Sequence, residues 1–180
     1  MKRPFFEYIT TGGIHVQPNF FPHDIYEDIK EKIDTLEMNS TYQPADTHYG
    51  NRLQAMPCYE GDFNYHQSYI TERVEQILDI EIKEYKCFAR KIIIEELKQS
   101  KCTGKYGFVH KEPAIAGIMH FDQAFDGGTA FFENNWDATP DIYVSAYPNR
   151  FLIYNGNRWH APAFDYTFKE RTSLAFFFGI

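Results

Sequence analysis

Four segments in the last third of the chain decide its fold. They are Gly127-Gly128-Thr129-Ala130-Phe131-Phe132, Asn149-Arg150-Phe151-Leu152-Ile153-Tyr154, Trp159-His160-Ala161-Pro162 and Arg171-Thr172-Ser173-Leu174-Ala175-Phe176-Phe177-Phe178. Each is short, apolar and rich in aromatic or β-branched residues, which suit a pleated surface. Turn chemistry separates them: Asp126-Gly127-Gly128, Thr139-Pro140-Asp141, Pro148-Asn149 and Asn155-Gly156-Asn157. One His heads the penultimate strand and one Arg opens the last.

The same pattern extends upstream. Cys87 to Ile94 reads as a strand, Gly104 to Gly107 as a turn, and strands are predicted near 107–111, 114–121, 128–133, 141–146, 150–155, 158–161 and 172–178. Before them the period changes. Asp24 is a plausible N-cap, and Ile25, Ile29, Ile33 and Leu36 recur at helical spacing, so a helix is predicted over 24–37. A second is predicted over 66–78, with Tyr69, Ile70, Val74, Ile77 and Leu78 on one face. Residues 1–22 read as strand-like. Residues 39–65 hold few aliphatics and many Tyr, Asn, Gly, Pro and His; they are read as a lid or substrate loop, with a meander of short edge strands as the alternative. Two helices followed by about eight evenly spaced strands predict an α+β, mainly β domain. The expected architecture is a double-stranded β-helix (jelly roll) with N-terminal helices packed on one sheet. A single domain over 1–180 is expected, with 1–83 as helical and loop support and 84–180 as the core.

Composition narrows the function class. The net charge of -7 argues against a nucleic-acid partner, because phosphate neutralisation needs clustered Lys and Arg. Cys58, Cys87 and Cys102 are widely spaced with no C-x-x-C pair, so neither a zinc knuckle nor a thioredoxin-type site is expected. Their odd number fits a reducing compartment. No apolar run approaches the ~20 residues of a membrane helix, and Pro4 to Tyr8 is too short and acidic for a signal peptide. A cytoplasmic protein with no membrane partner is expected.

Two His-x-carboxylate pairs stand out, His110-Lys111-Glu112 and His120-Phe121-Asp122. On a strand, residues i and i+2 share a face, so either pair can offer an imidazole and a carboxylate to one metal. A second imidazole from His160 would complete a 2-His-1-carboxylate triad with open positions. Arg171 and Ser173 also share a face, and a guanidinium beside a hydroxyl makes a good carboxylate clamp. Arg150 reads as structural, with Asp141 as an expected partner. His15, His23, His48 and His66 read as surface or loop residues.

This ordered set resembles the iron(II)- and 2-oxoglutarate-dependent dioxygenases, in particular the prolyl-hydroxylase-like group and its small phage and bacterial relatives. Ala116 to Asp122 looks like that family's strand ending in Tyr-Leu-Asn, Gly127-Gly128-Thr129 like its Gly-Gly-Thr strand, and Arg171-Thr172-Ser173 like its Arg-x-Ser motif. In the family a whole strand separates the His-x-carboxylate pair from the Gly-Gly-Thr strand. Four residues follow Asp122 before Gly127, whereas fourteen follow Glu112. The resemblance therefore implies His110, Glu112 and His160 as Fe(II) ligands, with Glu in place of the commoner Asp. It implies Arg171, Ser173 and His120 as holders of 2-oxoglutarate, His120 standing where the family often has a Tyr. A rival arrangement makes His120 and Asp122 the ligands and leaves His110 on the rim. The implied activity is hydroxylation by dioxygen of a small-molecule or peptide substrate, such as a peptidyl or free amino acid, with release of succinate and CO2. A non-catalytic jelly-roll binding module and a cupin-type metalloprotein that needs no oxo-acid are the alternatives. No residue pattern specifies an oligomeric state.

Overall fold

The central strands are apolar and buried on both faces, and the strands form two antiparallel sheets. The computed structural model describes residues 4–43, 56–100, 104–121, 124–135 and 139–180. In chain order the elements are α1 (Pro4–Thr10), β1 (Ile14–Gln17), α2 (His23–Thr35), β2 (Asn39–Gln43), β3 (Met56–Asp62), α3 (Gln67–Leu78), β4 (Glu84–Ile93), α4 (Ile94–Gln99), β5 (Ile115–His120), β6 (Ala124–Phe132), β7 (Ile142–Ala146), β8 (Arg150–Asn155), β9 (Trp159–Ala163) and β10 (Glu170–Gly179). The larger sheet has the order β1-β8-β5-β10-β4-β3-β2, and the smaller β7-β6-β9. The protein is thus mainly β, with helices accompanying two antiparallel sheets. Among the described residues, no helix is long and apolar enough to cross a membrane.

One face of the large sheet carries the main core. Cys87 and Ala89 of β4, Ile115 and Met119 of β5, Phe151 and Ile153 of β8, and Leu174, Phe176 and Phe178 of β10 pack with Ile29 and Ile33 of α2 and Ile70, Val74 and Leu78 of α3. Those helical positions are the 3.6-period stripes read from the sequence. Phe151 sits at the centre, stacked on Phe20 at 4.2 Å between ring centroids and tilted against Phe176 at 4.9 Å. The opposite face turns towards the small sheet: Phe131 of β6 packs against Ala116, Leu152 and Tyr154. Polar residues in these same strands are therefore directed between the sheets.

Several elements differ from expectation. Residues 4–10 form a helix rather than a strand. Ile9 anchors it in the core, the Thr10 and Thr11 hydroxyls bond back to carbonyls of the preceding turn, and Gly12 at φ 102° ends it. Of the first 22 residues only Ile14–Gln17 is a strand. The helix α4 was not expected; it buries Ile94 and Leu97. Within 39–65, β2 and β3 are the last two strands at one end of the large sheet, β2 at its edge, while 44–55 lie outside the described residues. Arg150 does not meet Asp141: its Nη1 donates to the Ser145 carbonyl, its guanidinium lies over Tyr147, and Asp141 faces Arg158 at 3.6 Å.

The stretch around 107–111 extends the small sheet through two isolated bridges, Tyr106 with Ala163 and His110 with His160. On the other side of that sheet, register slips between Ala124 and Gly128 where β6 meets β7. Gly128 has φ 152°, and a Cβ there would strike the Val144 carbonyl oxygen and the Ala146 nitrogen. Only glycine fits this position. Gly128→Ala should lower stability by roughly 2–4 kcal/mol, and Phe151→Ala by about 3–5 kcal/mol, both read from urea unfolding midpoints.

Candidate active site

The site begins with a strand pairing. One edge of β9 bonds to β6, opposing His160 to Phe131. Its other edge takes the 106–110 segment, where His110 and His160 exchange backbone hydrogen bonds of 2.9 and 3.0 Å. The two rings lie 4.4 Å apart between centroids. Each ring is held the same way: Nδ1 of His110 is 2.9 Å from the Phe108 carbonyl, and Nδ1 of His160 is 2.8 Å from the Arg158 carbonyl. A carbonyl only accepts, so Nδ1 carries a hydrogen in both rings, and the neutral form of each has its lone pair on Nε2. Ring contacts fix the planes. Phe108 stacks on His110, while Tyr154 and Phe131 flank His160 at 4.9 and 6.2 Å.

Glu112 follows on the same segment, anchored by its N–H to the Gly156 carbonyl at 2.7 Å. Its Oε1 lies 3.4 Å from His110 Nε2. A carboxylate oxygen facing an imidazole lone pair needs a shared proton or cation between them. Burial would raise the Glu112 pKa, but the hydrogen bond to His110 and nearby positive charge, that of His110 first and then Arg90, outweigh it and hold it below the usual carboxylate value. Burial, reinforced by the His110 charge, presses His160 down to about 3, so its ring is neutral near pH 7. Two imidazoles and a carboxylate are donors of the kind that suit a divalent first-row metal. They face one cavity without being closed around a point: among the described residues, no three His, Cys, Asp or Glu side chains form a preformed metal-binding group.

The same cavity is bordered by Arg171 and Ser173 from β10, so five of the six side chains expected from the sequence meet there. Arg171 Nη1 donates to Ser173 Oγ at 3.2 Å and Nη2 to the Gly128 carbonyl at 3.5 Å. Cys58, Arg90 and Tyr154 are among the lining residues that sequence reasoning missed. Arg90 had a signal: it shares a face with Phe88 and Ile92 in a strand whose opposite face carries the apolar Cys87 and Ala89. Pairing registers align Glu60, Arg90, Ser173, His120 and Arg150 in one row across β3, β4, β10, β5 and β8.

His120 takes a different place. It lies at a neighbouring, smaller cavity that also touches Arg171. Its Nε2 is 3.2 Å from Thr129 Oγ1, and its Nδ1 is buried without a hydrogen-bond partner. Burial, then the charges of Arg171 and Arg150, push its pKa well below the ordinary histidine value. Asp122, its companion in the rival arrangement, lies outside the described residues, as do His48 and Cys102. His66 bonds to Asp28 at 2.7 Å, on helix α2 and away from the site.

No protein-family model matches the chain, and no curated protein matches it in sequence. Solved structures do match it in three dimensions. A prolyl-4-hydroxylase from Pseudomonas putida aligns over 99% of this chain and 98% of its own, with 12% identity and a TM-score of 0.58. A 2OG-Fe(II) oxygenase family oxidoreductase from Burkholderia pseudomallei aligns over 97% and 89%, with 14% identity and a TM-score of 0.62. HygX from Streptomyces hygroscopicus, solved with nickel, 2-oxoglutarate and hygromycin B bound, aligns over 99% and 87%, with 10% identity and a TM-score of 0.62. At these identities the likeness is one of fold. The chain has the fold of prolyl hydroxylases and 2-oxoglutarate oxygenases, the group its sequence motifs resemble.

Proposed function

We propose that this chain is a non-haem Fe(II)- and 2-oxoglutarate-dependent dioxygenase that hydroxylates its substrate and releases succinate and CO2. Its two sheets are read as the halves of a double-stranded β-helix, with 84–180 as the catalytic core and 1–83 as its support. His110, Glu112 and His160 are the metal ligands; Arg171, Ser173 and His120 hold the oxo-acid. One observation carries the reading: two imidazoles fifty residues apart, each with Nδ1 tied to a backbone carbonyl, share a cavity with a carboxylate and a guanidinium–hydroxyl pair.

Bound iron and 2-oxoglutarate would supply the oxidative chemistry that splits the oxo-acid and places an oxygen atom on a substrate carbon. The chain supplies the rest. The Phe108 and Arg158 carbonyls keep both imidazoles in the ligating tautomer. Glu112 brings the negative charge that a divalent cation needs. Arg171 offers a forked pair of N–H donors to the far carboxylate of the oxo-acid, with the Ser173 hydroxyl beside it. His120 stays neutral next to Arg171, so it adds a donor without adding charge repulsion. The aromatic walls of Tyr154 and Phe177 limit the water that reaches the site.

Purified protein supplied with Fe(II), ascorbate and 2-oxoglutarate should form succinate, and His160→Ala should lower that rate at least about 100-fold. Arg171→Gln should raise the KM for 2-oxoglutarate about 10- to 100-fold, the loss of a charged hydrogen-bonded clamp. The lack of a preformed three-donor group among the described residues favours one rival, a binding module without catalysis. Anaerobic Fe(II) titration in the presence of 2-oxoglutarate separates the two. The oxygenase develops a weak visible charge-transfer band, and the binding module does not.

Acid should loosen the metal-free protein. The unfolded chain binds a proton on each His near pH 6.5, whereas folded His160 and His120 resist one to much lower pH. The unfolded state therefore holds more protons below that value, and stability falls as pH drops. Between pH 7.5 and 5.5 the loss should be roughly 1–1.5 kcal/mol per histidine. It is measured by urea unfolding at both pH values, and His120→Gln should remove about half of it.

A further inference from the structure

One charged pair in the site is left over by the proposed chemistry. Arg90 of β4 lines the cavity, directly across the strand pairing from Ser173. Its charge is felt at both Glu112 and His160. On its other side it meets its register partner Glu60 of β3, through a hydrogen bond of 2.6 Å from Nε to Oε2. That bond is the only hydrogen bond found between the two side chains. The two-nitrogen Nη fork of Arg90 is not spent on Glu60, and Oε1 of Glu60 is not spent on Arg90. Both side chains keep partial solvent access, 20% and 25%. 2-Oxoglutarate has no use for this pair, since one of its carboxylates belongs at the metal and the other at Arg171.

A neutral pair with a spare forked donor and a spare anionic acceptor complements one chemical class closely. The α-carboxylate of an amino acid matches the guanidinium fork. Its α-ammonium matches a carboxylate oxygen close by. A zwitterion brings no net charge, so it leaves unchanged the balance of a cavity lined by Arg90, Arg171 and Glu112, with Glu60 bonded to Arg90 beside it. A residue inside a peptide has neither charged group and would leave both Arg90 and Glu60 facing uncharged amide. We propose that Arg90 and Glu60 form the head-group subsite for the primary substrate, and that this substrate is a free α-amino acid. The proposal rests on the oxygenase reading above.

The test uses the Fe(II)- and 2-oxoglutarate-loaded protein under anaerobic conditions, with the visible band as a binding signal that needs no turnover. Probes are the proteinogenic L-amino acids, each beside its N-acetyl and methyl ester forms. At least one free amino acid should shift the band and, in air, raise succinate formation; its N-acetyl and methyl ester forms should fail to do so at tenfold higher concentration. Arg90→Gln and Glu60→Gln should each weaken that binding at least tenfold, while 2-oxoglutarate affinity stays within twofold of wild type, which also shows that the variants fold. The proposal is overturned if blocked forms bind as well as free ones, if no free amino acid shifts the band, or if the variants bind the amino acid normally. It is also overturned if Arg90→Gln weakens 2-oxoglutarate as much as Arg171→Gln does, because Arg90 then belongs to the oxo-acid. Failure of the wild-type protein to bind 2-oxoglutarate at all is a separate result and removes the oxygenase reading itself.

Discussion

Two backbone hydrogen bonds between His110 and His160 hold the candidate site together. They fasten an otherwise irregular segment to the free edge of β9, and β9 is fixed in turn by its ladder to β6. With the Gly107 N–H bond to the Pro162 carbonyl and the Glu112 N–H bond to the Gly156 carbonyl, that pairing holds the 106–112 stretch beside β9. The bonds also set the phase. Because the two histidines are Cα partners, their side chains emerge on one face of the small sheet and reach the same cavity. The carbonyls two residues back then fix each ring, so the backbone supplies orientation as well as position.

The large sheet meets the site with a different constraint. A row of polar side chains crosses five of its strands on the inner face, which also carries the Ala116, Leu152 and Tyr154 that pack against Phe131. Such groups are costly to bury unless paired. Glu60 answers Arg90, Ser173 answers Arg171, Thr129 answers one nitrogen of His120, and the Ser145 carbonyl answers Arg150. The buried Nδ1 of His120 has no such answer. A sheet that spends this much polar surface in its interior sacrifices core for it. The opposite face compensates with the aromatic stack of Phe20, Phe151 and Phe176 and with helices α2 and α3.

Much of this was legible from residue order. The strands from β4 onwards lie close to where alternation and turn residues put them, and α2 and α3 follow their apolar stripes. The misreadings have physical causes. Phe5, Phe6 and Tyr8 favour strands by type, yet α1 forms because Ile9 docks in the core and Gly12 can turn at positive φ. The Asp141 carboxylate was assigned to Arg150 by proximity in sequence, but the hairpin between β7 and β8 carries Arg150 to Ser145 and Tyr147 instead. Arg90 was read as one more residue of a β-branched strand, since nothing local says which face of a strand looks into a cavity.

What the sequence determined alone was the chemical inventory and its order: two His-x-carboxylate pairs, a later His, an Arg-x-Ser pair, and strands whose period of two gives each side chain its phase relative to its neighbours. Tertiary structure decided which inventory members meet. It set His110 beside His160, placed His120 at the adjoining cavity behind Arg171, and brought Arg90 and Glu60 into the row opposite Ser173. The reason is that alternation fixes relative phase within one strand only. The absolute face and the cross-strand partner depend on register, and register is chosen by burying two different surfaces of the large sheet at once.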